Sequence, residues 1–210
     1  ADGSLLADVD YTLISGADLS GFFGVNGPFV DEATTPDAMG LSISGIDFSL
    51  LQLEYGGFDY TAFTTSGSSA SLVGVPGLTL GASSISVAFN STSDAANPDK
   101  VLDFNAAGSV AGIEGVPTIG PALDLEGEDG SVLAVSGDFA LDAFGFVVLA
   151  GTFGMAKQTD VALDDGNLSF DADVLSLALA ASGFVGSGAS LSQDPDASTV
   201  TVVTTDAIGF

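Results

Sequence analysis

The sequence of 210 residues contains no cysteine, histidine, arginine or tryptophan, and its two basic side chains are Lys100 and Lys157. Without His or Cys, the chain cannot form a Ser–His–Asp triad, a thiol nucleophile or the usual zinc, copper or haem site. Two positive charges are too few to neutralise a phosphate backbone, which excludes nucleic acid as a partner. Neither Lys stands in an S-x-x-K arrangement that would activate a serine. We therefore predict that the protein is not an enzyme.

Negative charge is abundant where positive charge is scarce, because 28 acidic residues give a formal net charge of −26. Yet 46% of the residues are hydrophobic and the mean hydropathy is +0.50, which is too apolar for a disordered acidic tail. An anionic surface with few basic partners repels itself unless salt screens it or divalent cations bridge its carboxylates. These features predict an extracellular or cell-surface location.

Long hydrophobic runs are also missing. The most apolar run, residues 143–156, has 14 residues, fewer than the roughly 20 that a membrane-spanning helix needs. We therefore do not expect the chain to have a membrane as its partner. The chain begins with Ala1 and shows no signal-peptide pattern, so we expect a processed protein or a piece of a longer one.

Period-two alternation of apolar side chains runs through most of the sequence. Ile85, Val87 and Phe89 form one such series, whereas the series at residues 41–43 reverses its phase at residues 46–50. Phase reversals of this kind indicate bulges or strands that bend between two packing surfaces. The pattern predicts an all-β fold, an elongated antiparallel β-sandwich or β-solenoid-like repeat unit of about 13–15 strands.

Three short segments near the start of the chain return near its end in the same order, with offsets between 162 and 169 residues. Three matches in order predict that residues 1–164 form one repeat unit and that residues 165–210 begin the next, packed as one continuous β structure. The matches are DGSLLADV with DGNLSFDADV (2–9 and 165–174), SGFFG with SGFVG (20–24 and 182–186), and DAMGL with DAIGF (37–41 and 206–210).

The stretch SGDFALDAFGFVVLAGTFGMAK, residues 136–157, followed by VALDDG, resembles a module of giant exported bacterial surface proteins. The stretches SGADLSGFFGVNG, DAMGLSISGIDFSLL and GSSASLVGVPGLTLGASSISVAF resemble the succeeding strands of the same modules. Those proteins carry tandem arrays of long, acidic, Cys-free β repeats. The resemblance implies a secreted or surface structural role and supplies no catalytic residues. The calcium-binding nonapeptide of many such exported proteins is absent from this sequence.

The segment LDLEGEDG contains the densest cluster of acidic residues. If Asp124 and Glu126 lie on a strand, both point to one side, and the following turn adds Glu128 or Asp129. Carboxylate oxygens are the ligands that Ca²⁺ prefers. Two interpretations stay open: a solvated strand end and turn, or a Ca²⁺ site formed by Asp124, Glu126, Glu128 and Asp129.

Paired acids at Asp8/Asp10 and Asp171/Asp173 fall at equivalent places in the repeat, and a further pair stands at Asp194/Asp196. These pairs fit either a cation site between units or an anionic outer face.

The scarcity of Lys bears on assembly, because soluble β proteins usually protect exposed strand edges with Lys, Pro or inward charges. Residues 143–156 carry no charge at all, and we expect this run to contact a neighbouring unit. The sequence thus predicts a structural repeat of an extracellular bacterial filament, stalk or giant adhesin. Its partner is itself, as a homopolymer or as tandem repeats joined through sheet edges and apolar faces. The alternatives are a glycan- or surface-binding adhesin module and an outer-membrane β-barrel, which the terminal Ile208 and Phe210 also suit.

Overall fold

A computed structural model describes seven stretches of the chain, namely residues 9–27, 29–30, 33–34, 37–104, 119–164, 166–193 and 200–210. Within them lie twelve strands, one short 3-10 helix and no α-helix, which confirms the all-β prediction. Residues 2–8 and 165 of the first repeat match and the Asp194/Asp196 pair lie outside the described residues.

The strands differ widely in length, from two residues to nineteen. A 3-10 helix, Gly127–Asp129, lies between β6 and β7. The strands are β1 (Tyr11–Val25), β2 (Phe29–Val30), β3 (Ala33–Thr34), β4 (Met39–Tyr55), β5 (Phe58–Val73), β6 (Leu78–Thr92), β7 (Val132–Ala143), β8 (Val147–Asp164), β9 (Ser169–Ser187), β10 (Ser190–Gln193), β11 (Val200–Val203) and β12 (Ile208–Gly209).

Eight strands form one antiparallel sheet in the order β1-β4-β5-β6-β7-β8-β9-β12. The sheet is a meander in which each strand pairs with the next one along the chain, apart from two inserted hairpins. The hairpin β2–β3 separates β1 from β4, and the hairpin β10–β11 separates β9 from β12. The turn from β4 to β5 uses Gly56 and Gly57 at φ of 64° and 85°, the backbone that a tight two-residue hairpin needs.

A line of backbone irregularities crosses the first four strands of the sheet. Asp18, Gly45, Gly67 and Ser84 all have φ between 52° and 76°. The strand registers shift or are interrupted beside these residues, so each strand reverses the facing of its side chains without ending. The phase reversals in the sequence therefore lie inside long strands. The described part of the chain has twelve strands, and our expectation for the whole chain was about 13–15.

One face of the sheet, which we call the covered face, carries the connection between β6 and β7. Leu51 and Ala62 pair across β4 and β5, and they form a buried cluster with Phe104 and Leu125 of that connection. Two polar side chains help to hold the connection in place. Ser49 Oγ donates a hydrogen bond of 2.7 Å to the Pro121 carbonyl, and Asn90 Nδ2 donates one of 2.7 Å to the Leu102 carbonyl.

The hairpin β10–β11 covers the same face further along the sheet. Val148, Phe184 and Ala189 form a second buried cluster, against which Leu191 and Val202 of the hairpin pack. Val148 pairs with Phe184, so both side chains point to one side of the sheet. The hairpin belongs to the predicted second unit, so part of the uncharged run 143–156 is buried by residues of that unit. Phe144 and Phe146 of the same run are exposed.

Candidate functional site: the open face and outer edge of the sheet

The four acids predicted as a Ca²⁺ site lie in the connection over the covered face. The expectation that Asp124 and Glu126 lie on a strand is wrong, because residues 121–126 have no regular secondary structure. Glu128 and Asp129 lie in the 3-10 helix. Leu123 and Leu125 pack on the buried cluster, whereas Asp124 and Glu126, which alternate with them, are exposed.

All four of these acids are exposed. Nowhere in the described stretches do three or more acidic side chains come together in a group that could hold a metal ion. The Ca²⁺ site is therefore still a prediction from the sequence alone.

The paired acids of β9 lie on an exposed part of the strand. Lys157 Nζ is 3.9 Å from Asp173 Oδ2, and both side chains are more than half exposed, which makes this ion pair a weak contributor to stability. Asp171 is also exposed, while Asp8 lies outside the described residues. Only one of the two predicted equivalent pairs can therefore be located in full.

A shallow groove of about 530 Å³ lies where β1, β4 and β5 meet the β4–β5 turn. Its lining includes Asp10, Glu54 and Asp59 beside Tyr11 and Tyr60. Three carboxylates give the groove a negative potential that disfavours anionic ligands.

The face opposite the covered face, which we call the open face, carries large apolar side chains from every long strand. Successive pairings join Ile14 to Leu50, Phe63, Phe89 and Leu133, and then to Lys157 and Leu175. Paired residues point to the same side of a sheet, so these side chains form one row across seven strands. No open-face residue belongs to a buried hydrophobic cluster in the part of the chain that the structure describes.

A second apolar row crosses the open face nearer the other end of the strands. Leu41 pairs with Phe23 and Leu72, and Leu141 pairs with Leu80 and Leu149. Phe23 is 69% exposed, and Leu41 and Leu80 are also exposed. The alternation in the sequence assigned these residues to one side of their strands. The alternation did not indicate which face of the sheet the connecting segments would cover.

The outer edge of β9 carries a run of highly exposed apolar side chains. Leu175, Leu177 and Leu179 are 68%, 76% and 69% exposed, and all three lie on the open face. β12 pairs with β9 at Gly186 and Ser187, and Phe210, the residue after β12, is hydrogen-bonded to Val185. Along the rest of β9, the only strand neighbour among the described residues is β8. From residue 174 to residue 187 the strand has no charged residue and no proline, so its edge lacks the usual protection against strand pairing.

The pairing of β12 with β9 has the register in which β4 pairs with β1. Gly186 faces Gly209, as Gly24 faces Gly40. By the sequence matches 20–24/182–186 and 37–41/206–210, these glycines are equivalent residues in the two predicted units. The sequence revealed the repeated segments, but only the sheet shows that the two segments of each unit are neighbouring strands.

A phenylalanine ring lies over each of the two glycine pairs. A Cβ atom placed on Gly24 would lie 2.8 Å from Phe22 Cζ, and one placed on Gly209 would lie 2.7 Å from Phe184 Cζ. Phe22 and Phe184 are equivalent residues in the repeat. The same small structural motif therefore occurs at both ends of the sheet.

No protein-family model, curated protein or solved structure matches the chain. Among the described residues, no helix is both long enough and apolar enough to cross a membrane. The resemblance to modules of giant exported bacterial proteins therefore stays a prediction from the sequence.

Proposed function

We propose that this chain is a structural repeat of an extracellular bacterial filament, stalk or giant adhesin, and that it assembles with other copies of itself. The observation that supports the proposal best is the repeated register at the end of the sheet. With β12, the chain returns to the pairing that β4 makes with β1. A sheet that ends with the arrangement it began with can be extended by further units of the same kind.

The open face supplies a second contact surface. Soluble monomers rarely leave large apolar side chains exposed in one contiguous patch, and such patches commonly mark interaction sites. Here Phe23 and Leu80 are exposed members of the second row, and Leu177 is exposed on the same face beside Leu175, at the end of the first row. Burial of these side chains against another copy would stabilise the assembly, at about 25 cal/mol for each Å² of apolar surface removed from water.

The net charge of the chain makes self-assembly depend on the salt concentration of the medium. With 28 acidic and two basic residues, copies repel one another at low ionic strength, and the repulsion weakens as salt shortens the Debye length to about 8 Å at 0.15 M. Repulsion between the acidic residues thus opposes random aggregation. Copies whose apolar faces and strand edges meet in register can still associate. A salt-rich extracellular medium suits this balance.

The proposal is tested by sedimentation velocity and negative-stain electron microscopy of the full chain in buffers of rising NaCl concentration. We expect the mean mass to rise with protein and salt concentration, and rods with a regular axial repeat to form. A chain that stays monomeric at millimolar concentration in high salt would overturn the proposed self-assembly.

A further inference from the structure

We infer that the outer edge of β9, over residues 174–184, is the docking site for a β4-type strand of a second repeat unit. This inference names the partner of the assembly and rests on the proposed function.

The first residues of such a strand are already in place. Residues 206–210 match residues 37–41, the segment that leads into β4. Val185 N donates a hydrogen bond of 2.7 Å to the Phe210 carbonyl, and Phe210 N donates one of 3.0 Å to the Val185 carbonyl. In the first unit, the equivalent residues Phe23 and Leu41 pair in the same way. The docking site therefore continues an interface that exists within the chain.

The register of β4 on β1 predicts which residues of the docked strand pair with the next residues of β9. Beyond the pair Phe23–Leu41, Phe22 faces Ser42 and Gly21 faces Ile43. By equivalence, Phe184 and Gly183 accept the residues that correspond to Ser42 and Ile43. Every strand pair of the sheet is antiparallel, and a β4-type strand keeps that pattern.

The direction of the strands also disfavours the simplest alternative, which is β9 pairing with β1 of another copy side by side. In the meander, β1 and β9 are separated by five strands and run in the same direction. Two copies stacked without rotation would therefore pair these edges in parallel, unlike any pair in the sheet. A β4-type strand is antiparallel to β9, as β4 is to β1.

The chemistry of the edge suits the proposed occupant. Strand addition satisfies the unpaired N–H and C=O groups of an edge, and side chains in register add to the affinity. In the first unit, β4 places Leu50 beside Ile14 on the open face. A β4-type strand beside β9 would likewise bring apolar side chains to the open face, where Leu175, Leu177 and Leu179 are now exposed.

The test extends the chain after Phe210 with the sequence of residues 42–55, SISGIDFSLLQLEY. The matched control carries the same fourteen residues in shuffled order. We expect amide hydrogen exchange in residues 174–184 to slow at least tenfold with the native-order extension and to stay unchanged with the shuffled one. Equal exchange rates in the two extended chains, with their circular dichroism unchanged, would overturn the inference.

A peptide with the sequence of residues 42–55, added to the unmodified chain, gives a second measurement that no folding defect can obscure. Protection of residues 174–184 that saturates with peptide concentration supports the docking site, and no protection at any soluble concentration contradicts it.

The two proposals fail in different ways. If the edge of β9 is protected by the extension but the unmodified chain forms no assembly, self-assembly fails and the docking site stands. If the chain forms rods but the extension protects nothing, the docking site fails and the rods are held by another surface.

Discussion

Gly186 of β9 lies so close to Gly209 of β12 that a Cβ atom on Gly186 would be 2.7 Å from the Gly209 Cα. Gly24 and Gly40 make the same approach between β1 and β4, where the corresponding distance is 2.8 Å. Real Cβ atoms are not found at such distances from a backbone atom, so only glycine fits at these positions. The close approach is therefore a structural requirement of the register that begins each unit.

Replacement of Gly186 by valine is expected to separate β12 from β9. The added side chain would collide with the backbone of Gly209, and overpacking of this kind costs about 1–3 kcal/mol. We expect amide exchange at Val185 and Phe210 to become fast, as measured by NMR. Gly154→Ala is the matched control, because its Cβ would meet only Ala178 Cβ, at 4.0 Å. Unchanged protection of Phe210 in Gly186→Val would contradict the assigned register.

Replacement of Leu177 by lysine tests the open face in assembly. The side chain is 76% exposed, so the free energy of unfolding of the monomer should change by less than about 0.5 kcal/mol. A charge on the apolar open face should nonetheless reduce self-association by at least tenfold, as measured by sedimentation equilibrium. Ser176→Lys adds the same charge to the other side of β9, where Ser176 is also exposed. Equal loss of association in both variants would show that charge, not the open face, controls assembly.

Replacement of Asn90 by alanine should destabilise the sheet beneath the β6–β7 connection. Asn90 is fully buried, and its Nδ2 donates to the Leu102 carbonyl. Its Oδ1 has no hydrogen-bond partner among the described residues. Loss of the donor leaves the half-buried Leu102 carbonyl without this hydrogen bond, which costs about 1–3 kcal/mol. Urea unfolding should show this loss for Asn90→Ala and almost none for Gln52→Ala, whose side chain is exposed.

The Ca²⁺ prediction from the sequence is tested by comparing CaCl₂ with NaCl at equal ionic strength. Both salts should raise Tm, because they screen a net charge of −26. If the four acids of the β6–β7 connection bind Ca²⁺, CaCl₂ raises Tm further, and the variant D124N/E126Q/E128Q/D129N removes the excess. Identical shifts in the two salts would contradict the prediction.

A charge-matched control separates binding at this cluster from a general effect of fewer acids. The control neutralises four exposed acids elsewhere in the chain, and it should keep any excess effect of Ca²⁺. Its substitutions are D37N, E54Q, D171N and D206N.

The four candidate Ca²⁺ ligands illustrate a structural feature that the local sequence could not predict. The Ca²⁺ hypothesis placed Asp124 and Glu126 on a strand, whereas both lie in an irregular segment whose Leu123 and Leu125 pack on the sheet. An alternation of apolar and polar residues with a period of two indicates which side chains face a core. It does not report whether hydrogen bonds to a neighbouring strand are present, because those depend on residues far away in the chain.

The sequence by itself determined the class of fold, the phase reversals within strands and the repeated segments, because each depends on residues that are close together in the chain or on direct similarity. Only the tertiary structure decided which side of the sheet is covered, since that depends on where Phe104 and the β10–β11 hairpin pack. It also decided that the repeated segments are neighbouring strands, with Gly186 facing Gly209. Both are long-range contacts, and their geometry follows from the packing of the whole sheet.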